Sequence, residues 1–221
     1  KYMAKGIGRL FQVGLAKETA RGTAQSTATF WIPFSELTLD DKDTKIFDEQ
    51  AYGVIEDTVG SVITKQWAEA SLKAPIGDKH FGLVLLSALG SVSSALHSGE
   101  SVIYDHTLNV QQGSQHQSLT LFLDDPLSGA DYRHALGIVD SLEITYELGK
   151  FIEYSASLRA RKGVASTLTP ANTAENRFIH KHLTFKIASN LAGLGAGTAI
   201  AIKSLSLTIS KNIEDDDVLG S

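Results

Sequence analysis

The stretch from Val62 to Gly90 constrains the fold of this 221-residue chain more than any other. Its first part, VITKQWAEASLKAPI, alternates between small or apolar residues and polar or charged ones, which is typical of one long β-strand. A Gly77-Asp78 break follows, and the next residues predict one short helix over about 78–89. Asp78 is placed to cap the helix N-terminus, and Gly90 to end the helix in the left-handed conformation. The buried face of the strand is predicted to consist of Ala68, Ala70, Leu72 and Ala74.

The predicted helix lacks the polar stripe that a surface helix normally carries. Between Phe81 and Leu89 there is no charged residue, and Ser87 is the only hydroxyl. The helix must therefore be covered on more than one side, by sheets of its own chain or by a neighbouring subunit. We expect Phe81, Leu85 and Leu89 to lie at a contact between subunits.

Most of the remaining chain predicts strands. The clearest signal is a hairpin from Ser141 to Leu158, in which apolar residues alternate with Glu143, Glu147 and Glu153 around a turn at Gly149. Other alternating runs predict strands at Ile7–Leu15, at Tyr104–Val110 paired with Leu119–Leu123, at Leu183–Ile187 and at Leu205–Ile209.

Composition excludes several classes of protein. The net charge of −5 argues against a duplex DNA-binding protein that works by neutralising phosphates. The chain has no cysteine, so it can form neither a disulfide nor a thiolate metal site. No apolar run approaches the roughly 20 residues that span a bilayer. The length suits one large all-β domain or two small ones.

The sequence carries no recognisable catalytic or cofactor motif: there is no nucleophile elbow, no HExxH and no Walker loop. His180 and His182 would share one face of a strand, as two metal ligands can, but no third ligand has a recognisable spacing. Two polar residues on a wet sheet face are the simpler interpretation. The sequence therefore predicts no enzyme, no cofactor and no metal site.

The order of the elements along the chain matches a known pattern. The opening residues GRLFQVGLAKETARGTAQSTATFWIPF show a strand, a KExxxGT segment at 17–23, and a strand entered through Trp31-Ile32-Pro33. The unit from Val62 to Gly90 and the later Tyr104–His106 and Val139–Leu142 fit the same order. On these features the chain resembles the siphophage major tail tube protein family over about residues 8–211.

The resemblance implies a mainly β fold of two packed antiparallel sheets with one short flanking helix, a β-sandwich or barrel-like tail tube fold. The tubes of contractile tails, pyocins and type VI secretion share it. The resemblance further implies one non-enzymatic domain over residues 1–221. Because many relatives continue with more strands, we expect the sequence to continue beyond Ser221.

The family assembles as rings, usually hexameric, that stack into the tail tube and conduct DNA. The partners implied are other copies of the chain, a tape-measure protein, a tail terminator and a distal tail protein. Double-stranded DNA would pass in transit without sequence-specific binding, and no segment would span a membrane. The protein would be made in the bacterial host cytoplasm and reside in the virion tail.

Two sets of acids are expected to serve this assembly. The acidic, weakly periodic segment Thr38–Gly60 predicts a long loop. The equivalent loop in relatives stacks rings, which assigns ring stacking to Asp40, Asp41, Asp43, Asp48, Glu49 and Glu56. The wet face of the Ser141–Leu158 hairpin suits either the tube exterior or the lumen. The lumen is favoured because acids there would repel DNA phosphates, which assigns it Glu143, Glu147 and Glu153.

Other interpretations stay open at this level. A carbohydrate-binding β-sandwich would use exposed aromatic residues, for which Trp31, Trp67, Tyr52 and Tyr132 are candidates. A tail terminator or distal tail protein would share the tail tube fold.

Overall fold

The computed structural model of the chain describes residues 8–50, 53, 55, 58, 60–126 and 129–213. Within these ranges it contains strands, one α-helix and short 3₁₀ turns. The strands and the helix are, in chain order, β1 (Gln12–Lys17), β2 (Phe30–Ile32), β3 (Glu36–Asp48), β4 (Gly60–Pro75), α1 (Phe81–Leu89), β5 (Gly90–Leu96), β6 (Tyr104–Val110), β7 (Leu119–Asp124), β8 (Asp131–Glu147), β9 (Glu153–Ala160), β10 (Val164–Ser166) and β11 (Ser204–Ser210).

The long strand β8 belongs to two antiparallel sheets. Its first half pairs with β7 and β10, and β7 continues through β1 to β2. Its second half pairs with β9 and β11, and β9 continues through β4 to β3. Side chains from both sheets and from α1 form one apolar core, so the predicted fold of two packed antiparallel sheets with a short helix is confirmed.

A bend in β8 separates its two halves. Leu136 has φ of 56°, which is uncommon for a residue with a side chain. The next residue must be a glycine, because a Cβ at Gly137 would lie 2.1 Å from Leu121 Cδ1 and 2.8 Å from the carbonyl oxygen of Leu119. The register between β7 and β8 shifts at the same place, between Leu119 and Leu121. One strand can thus cross from the first sheet into the second.

The strand and helix predicted between Val62 and Gly90 are confirmed. Ala68, Ala70, Leu72 and Ala74 are buried, as expected. Gly90 ends α1 with φ of 101°, a left-handed conformation.

The predicted helix cap at Asp78 is wrong. The helix starts at Phe81, after His80, and no side chain caps it. Asp78 lies two residues before the N-cap position, and its carboxylate accepts hydrogen bonds from the backbone and side-chain nitrogens of Asn176 instead. The hydrogen bond with Asn176 is the main cause that lowers the pKa of Asp78.

The loop predicted over Thr38–Gly60 is also wrong for most of its length. Residues 38–48 belong to β3, which pairs with β4 from Glu36↔Lys73 to Asp48↔Gly60. Leu37 and Leu39 pack against the core, and the residues from Asp40 to Lys45 are acids and lysines apart from Thr44. In this part of the strand, opposite charges two residues apart form ion pairs, Lys42 with Asp40 and Lys45 with Asp43. The alternation of apolar and polar residues that would identify a strand is therefore missing here.

Two further strand predictions fail. Tyr104–Val110 pairs with β5 rather than with Leu119–Leu123, which joins β1 and β8. The region of Leu183–Ile187 follows a 3₁₀ turn at His180–His182 and forms only an isolated bridge, Lys186↔Ala199. Within the described ranges, no helix is long and apolar enough to cross a membrane.

Candidate assembly surfaces

The distal half of the β3–β4 hairpin extends beyond the body of the second sheet. Pairing of β4 with β9 ends at Ala68↔Ala160, whereas pairing of β4 with β3 continues to Asp48↔Gly60. No other strand of the described chain pairs with residues 42–48 or 60–67. We call these residues the arm.

The arm exposes large apolar side chains on both faces. Ile46 and Val62 are a cross-strand pair, 62% and 69% exposed. On the opposite face lie Phe47, 56% exposed, and Ile63, 47% exposed. Phe47 and Ile63 are the chain neighbours of Ile46 and Val62, so alternation along the two strands places both on the other face. Apolar surface on both sides of a two-stranded ribbon indicates that something packs against the arm on each side.

The acids predicted to stack rings lie on β3 or beside it. Asp40 and Asp43 face opposite sides and pair with Lys42 at 3.4 Å and Lys45 at 3.2 Å. The Asp48 carboxylate accepts a hydrogen bond from Gln50 N at 3.3 Å, and Glu49 follows as an exposed residue. Glu56 lies outside the described residues. The sequence analysis did not predict the arm, although two consecutive apolar residues, Ile46 and Phe47, stand out in this charged segment.

The acids predicted for the lumen share one wet sheet face. Glu143, Glu147 and Glu153 alternate with the buried Leu142, Tyr146 and Tyr154, so the predicted hairpin is confirmed. Each acid has a partner on the same face. Ser206 Oγ donates to Glu143 at 2.7 Å and Lys150 Nζ to Glu147 at 2.6 Å, while Lys73 Nζ forms an ion pair with Glu153 at 3.8 Å. The hydrogen bond with Glu147 raises the pKa of Lys150.

The predicted subunit contact on α1 is partly covered by its own chain. Val84, Leu86, Ser87 and Ala88 are buried. Phe81 and Leu85 pack against the core but stay half-buried, and Leu89 is half-buried as well. The remaining exposed part of these three side chains forms a surface that a neighbour could cover.

The β5–β6 hairpin is a second exposed ribbon that sequence reasoning did not identify as a surface. It pairs with no other strand in the described ranges. Large side chains at both of its ends are exposed, among them Leu96, Ile103, Tyr104 and Val110. The sequence analysis had paired Tyr104–Val110 with Leu119–Leu123, and this wrong pairing hid the separate β5–β6 ribbon.

The KExxxGT segment contains a buried carboxylate that joins the first sheet together. Glu18 is 2% exposed. Its Oε2 accepts hydrogen bonds from Gly22 N at 2.7 Å and Ser118 Oγ at 2.6 Å. Its Oε1 accepts from Leu136 N at 2.8 Å and Thr120 Oγ1 at 3.2 Å. The motif therefore fixes a turn, the strand β7 and the bend of β8 to one another.

The residues considered for carbohydrate or metal binding do not form such a site in the described part of the chain. Trp31 is buried against Phe122, with ring centroids 6.5 Å apart. Trp67 is half-buried, its Nε1 donates to Glu69 at 3.0 Å, and Lys65 Nζ lies 5.4 Å from the centre of its ring, so one face of that ring is occupied. Tyr132 is half-buried, and Tyr52 lies outside the described residues. In the described part of the chain no cluster of three or more metal-ligating side chains occurs.

Among the comparisons with known proteins, the match to a family model agrees with the family resemblance. No curated protein matches the chain significantly. One solved structure with a similar fold is the sheath-tube complex of an extracellular contractile injection system in its extended state. It is 11% identical, has a TM-score of 0.44, and the match covers 74% of this chain and 93% of that one. That score supports no conclusion about this chain. The sequence model of a family described as phage tail tube protein matches residues 8–221. The chain therefore belongs to the phage tail tube protein family, and its role is that of a structural protein of the tail tube.

Proposed function

We propose that copies of this chain close into rings, six to a ring as the resemblance implies, and that the rings stack into a tube through which DNA passes. The observation that carries this proposal is the arm, because it exposes apolar residues on both faces and no strand of the described chain pairs beside it. A second copy on one side and an adjacent ring on the other would cover both faces. The acids Asp40, Asp43, Asp48, Glu49 and Glu56 then act at the margins of these contacts.

The free edges of the second sheet support ring closure. In the described ranges β3 pairs only with β4, and β11 only with β8, so these two strands end the sheet. Exposed edges invite association, and closed symmetry removes them. Pairing of β11 with β3 of the next copy would join the sheets into one continuous wall. The half-buried Phe81, Leu85 and Leu89 would complete the boundary between two copies.

The wet face of this sheet is proposed to line the channel. A channel wall for DNA must be hydrophilic without holding phosphates, and hydroxyls with partly neutralised acids meet both conditions. Glu143, Glu147 and Glu153 would then face the lumen. Lysine at all three positions should still permit assembly but slow DNA ejection. A tube reconstruction with these carboxylates on the outer wall would contradict the assignment.

The family also suggests where the protein works and with what. We propose synthesis in the host cytoplasm, residence in the virion tail, and contact with a tape-measure protein, a tail terminator and a distal tail protein. The role is structural rather than catalytic.

Electron microscopy of the purified protein tests the assembly proposal. Wild type is expected to form rings or tubes, whereas Ile46→Lys combined with Val62→Lys should leave folded, smaller species. The matched control combines Thr44→Lys with Ser61→Lys, which adds the same charge to the arm at polar positions. Normal tubes from the Ile46/Val62 variant would refute the assembly role of the arm.

A further inference from the structure

Asp41 lies where the arm leaves the body of the protein. It is the cross-strand neighbour of Ala68, and Ala68 is the last residue of β4 that pairs with β9. Beyond this point the arm is a two-stranded ribbon, which on its own twists readily and is only marginally stable. A contact at this position therefore affects the direction of the whole arm.

The Asp41 carboxylate joins three separate parts of the chain. Its Oδ1 lies 3.2 Å from His134 Nε2 and accepts a hydrogen bond from Gly163 N, also at 3.2 Å. His134 is in the first half of β8 and is buried, at 3% exposure. Gly163 lies in the connection between β9 and β10, and a Cβ there would stand 2.6 Å from His134 Nε2. The glycine thus permits the backbone to approach the imidazole and the carboxylate together.

We propose that Asp41 and His134 form a clasp that sets the direction of the arm, and that they are positioning residues for tube assembly. This rests on the proposed function, and it replaces the ring-stacking role of Asp41 by an internal one. The carboxylate ties the edge strand β3 to the other sheet at the arm's root. With the clasp closed, each copy presents its arm at the same angle, which stacking of identical rings requires.

A local alternative is that the contact only adds stability. The geometry favours positioning, because β3 is already held along the body by its pairing with β4 and by Leu37 and Leu39 in the core. A hydrogen bond to a buried group at the last supported position mainly restrains what lies beyond it. Loss of the Asp41 carboxylate removes two hydrogen bonds, from His134 Nε2 and from Gly163 N, and each corresponds to about tenfold in the population of the closed clasp.

Distances between spin labels test the clasp directly. The chain has no cysteine, so Glu49→Cys and Glu147→Cys introduce one label near the end of the arm and one on the body. In the monomer, wild type should give one narrow distance distribution and Asp41→Ala a broad one. Glu36→Ala is the matched control, since it removes an exposed acid from the same strand without touching the clasp. Asp41→Asn keeps an oxygen acceptor and should restore the narrow distribution.

Assembly is then measured on the clasp variant and its control in the chain without the two introduced cysteines. Asp41→Ala should form fewer tubes than Glu36→Ala by about tenfold or more at equal folded fraction, in line with the lost closed population. If Asp41→Ala does not fold, His134→Leu, which lacks the donor, is compared with His134→Gln, which keeps one.

Each outcome decides the proposal. A narrow distribution for Asp41→Ala, or for a folded His134→Leu, would overturn the clasp. A broad distribution with normal tubes would overturn its role in assembly. Failure of wild type to assemble would refute only the proposed function. The clasp would still be tested, because the spin-label distances are measured in the monomer.

Discussion

Replacing Glu18 by glutamine tests whether the KExxxGT motif works as a buried hydrogen-bond junction. Each carboxylate oxygen of Glu18 accepts from one backbone N–H and one hydroxyl. Glutamine keeps the shape but turns one oxygen into an NH₂ group. Hydroxyls can rotate to accept from it, but the N–H of Gly22 or of Leu136 cannot. Whichever way the amide is oriented, one backbone N–H loses its acceptor.

The expected cost follows from this count of partners. An orphaned buried donor costs about 1–3 kcal/mol, and the remaining hydrogen bonds change from charge-assisted to neutral, which costs about 1 kcal/mol more. Glu18→Gln should thus lower the free energy of unfolding by about 2–4 kcal/mol. With a urea m-value of about 2 kcal/mol/M, the unfolding midpoint falls by about 1–2 M.

Urea unfolding followed by tryptophan fluorescence measures this shift, since Trp31 is buried in the same sheet. The measurement uses the Ile46→Lys/Val62→Lys background, in which assembly does not add to stability. Glu36→Gln is the control, because the Glu36 side chain is 75% exposed and its ion pair with Lys73 contributes less than about 1 kcal/mol. Equal urea unfolding midpoints for Glu18→Gln and Glu36→Gln, within error, would refute the role of Glu18 as a hydrogen-bond junction.

Two other predictions concern titration and backbone conformation. Burial lowers the pKa of His134 despite the opposing effect of Asp41. The unfolded chain then binds the proton more readily than the folded one, so the free energy of unfolding should decline as pH falls below about 6.5, and His134→Gln should remove that part of the decline in urea titrations. Gly90→Ala should destabilise by about 1–3 kcal/mol, because φ is 101° and a Cβ would lie 2.7 Å from Gln111 Cβ. Gly113→Ala, where the nearest atom is 4.0 Å away, is its control, and equal thermal midpoints for the two would contradict the reasoning.

The parts of the fold that the sequence predicted are those that local pattern determines. The strand from Val62, the helix and its Gly90 end, and the Ser141–Leu158 hairpin all have strong alternation or a turn glycine. The predicted pairing of Tyr104–Val110 with Leu119–Leu123 failed because neighbouring strands need not pair. Both runs are compatible with several partners, and the partner is chosen by packing across the whole core.

The candidate surfaces were only partly predictable for a related reason. Strand β3 resembles a loop in sequence because the run from Asp40 to Lys45 is polar on both faces and shows no alternation in hydropathy, and only pairing with β4 makes it a strand. The internal roles of Glu18 and Asp41 could not be predicted either, since most of their partners are about one hundred residues away in the chain. The KExxxGT resemblance was the one signal that pointed to Glu18.

These internal roles change what the net charge of −5 means. Glu18 is buried, Glu175 lies against the buried His80 at 2.8 Å, and Asp41 lies against His134, so none of these carboxylates belongs to the proposed channel face. On the proposed channel face, Lys73 and Lys150 offset Glu153 and Glu147, as the ion pairs show. Glu143 has only a neutral hydroxyl as its identified partner. Its field is therefore the least cancelled of the three, and any repulsion of DNA by this face depends more on Glu143 than on the acidity of the whole chain.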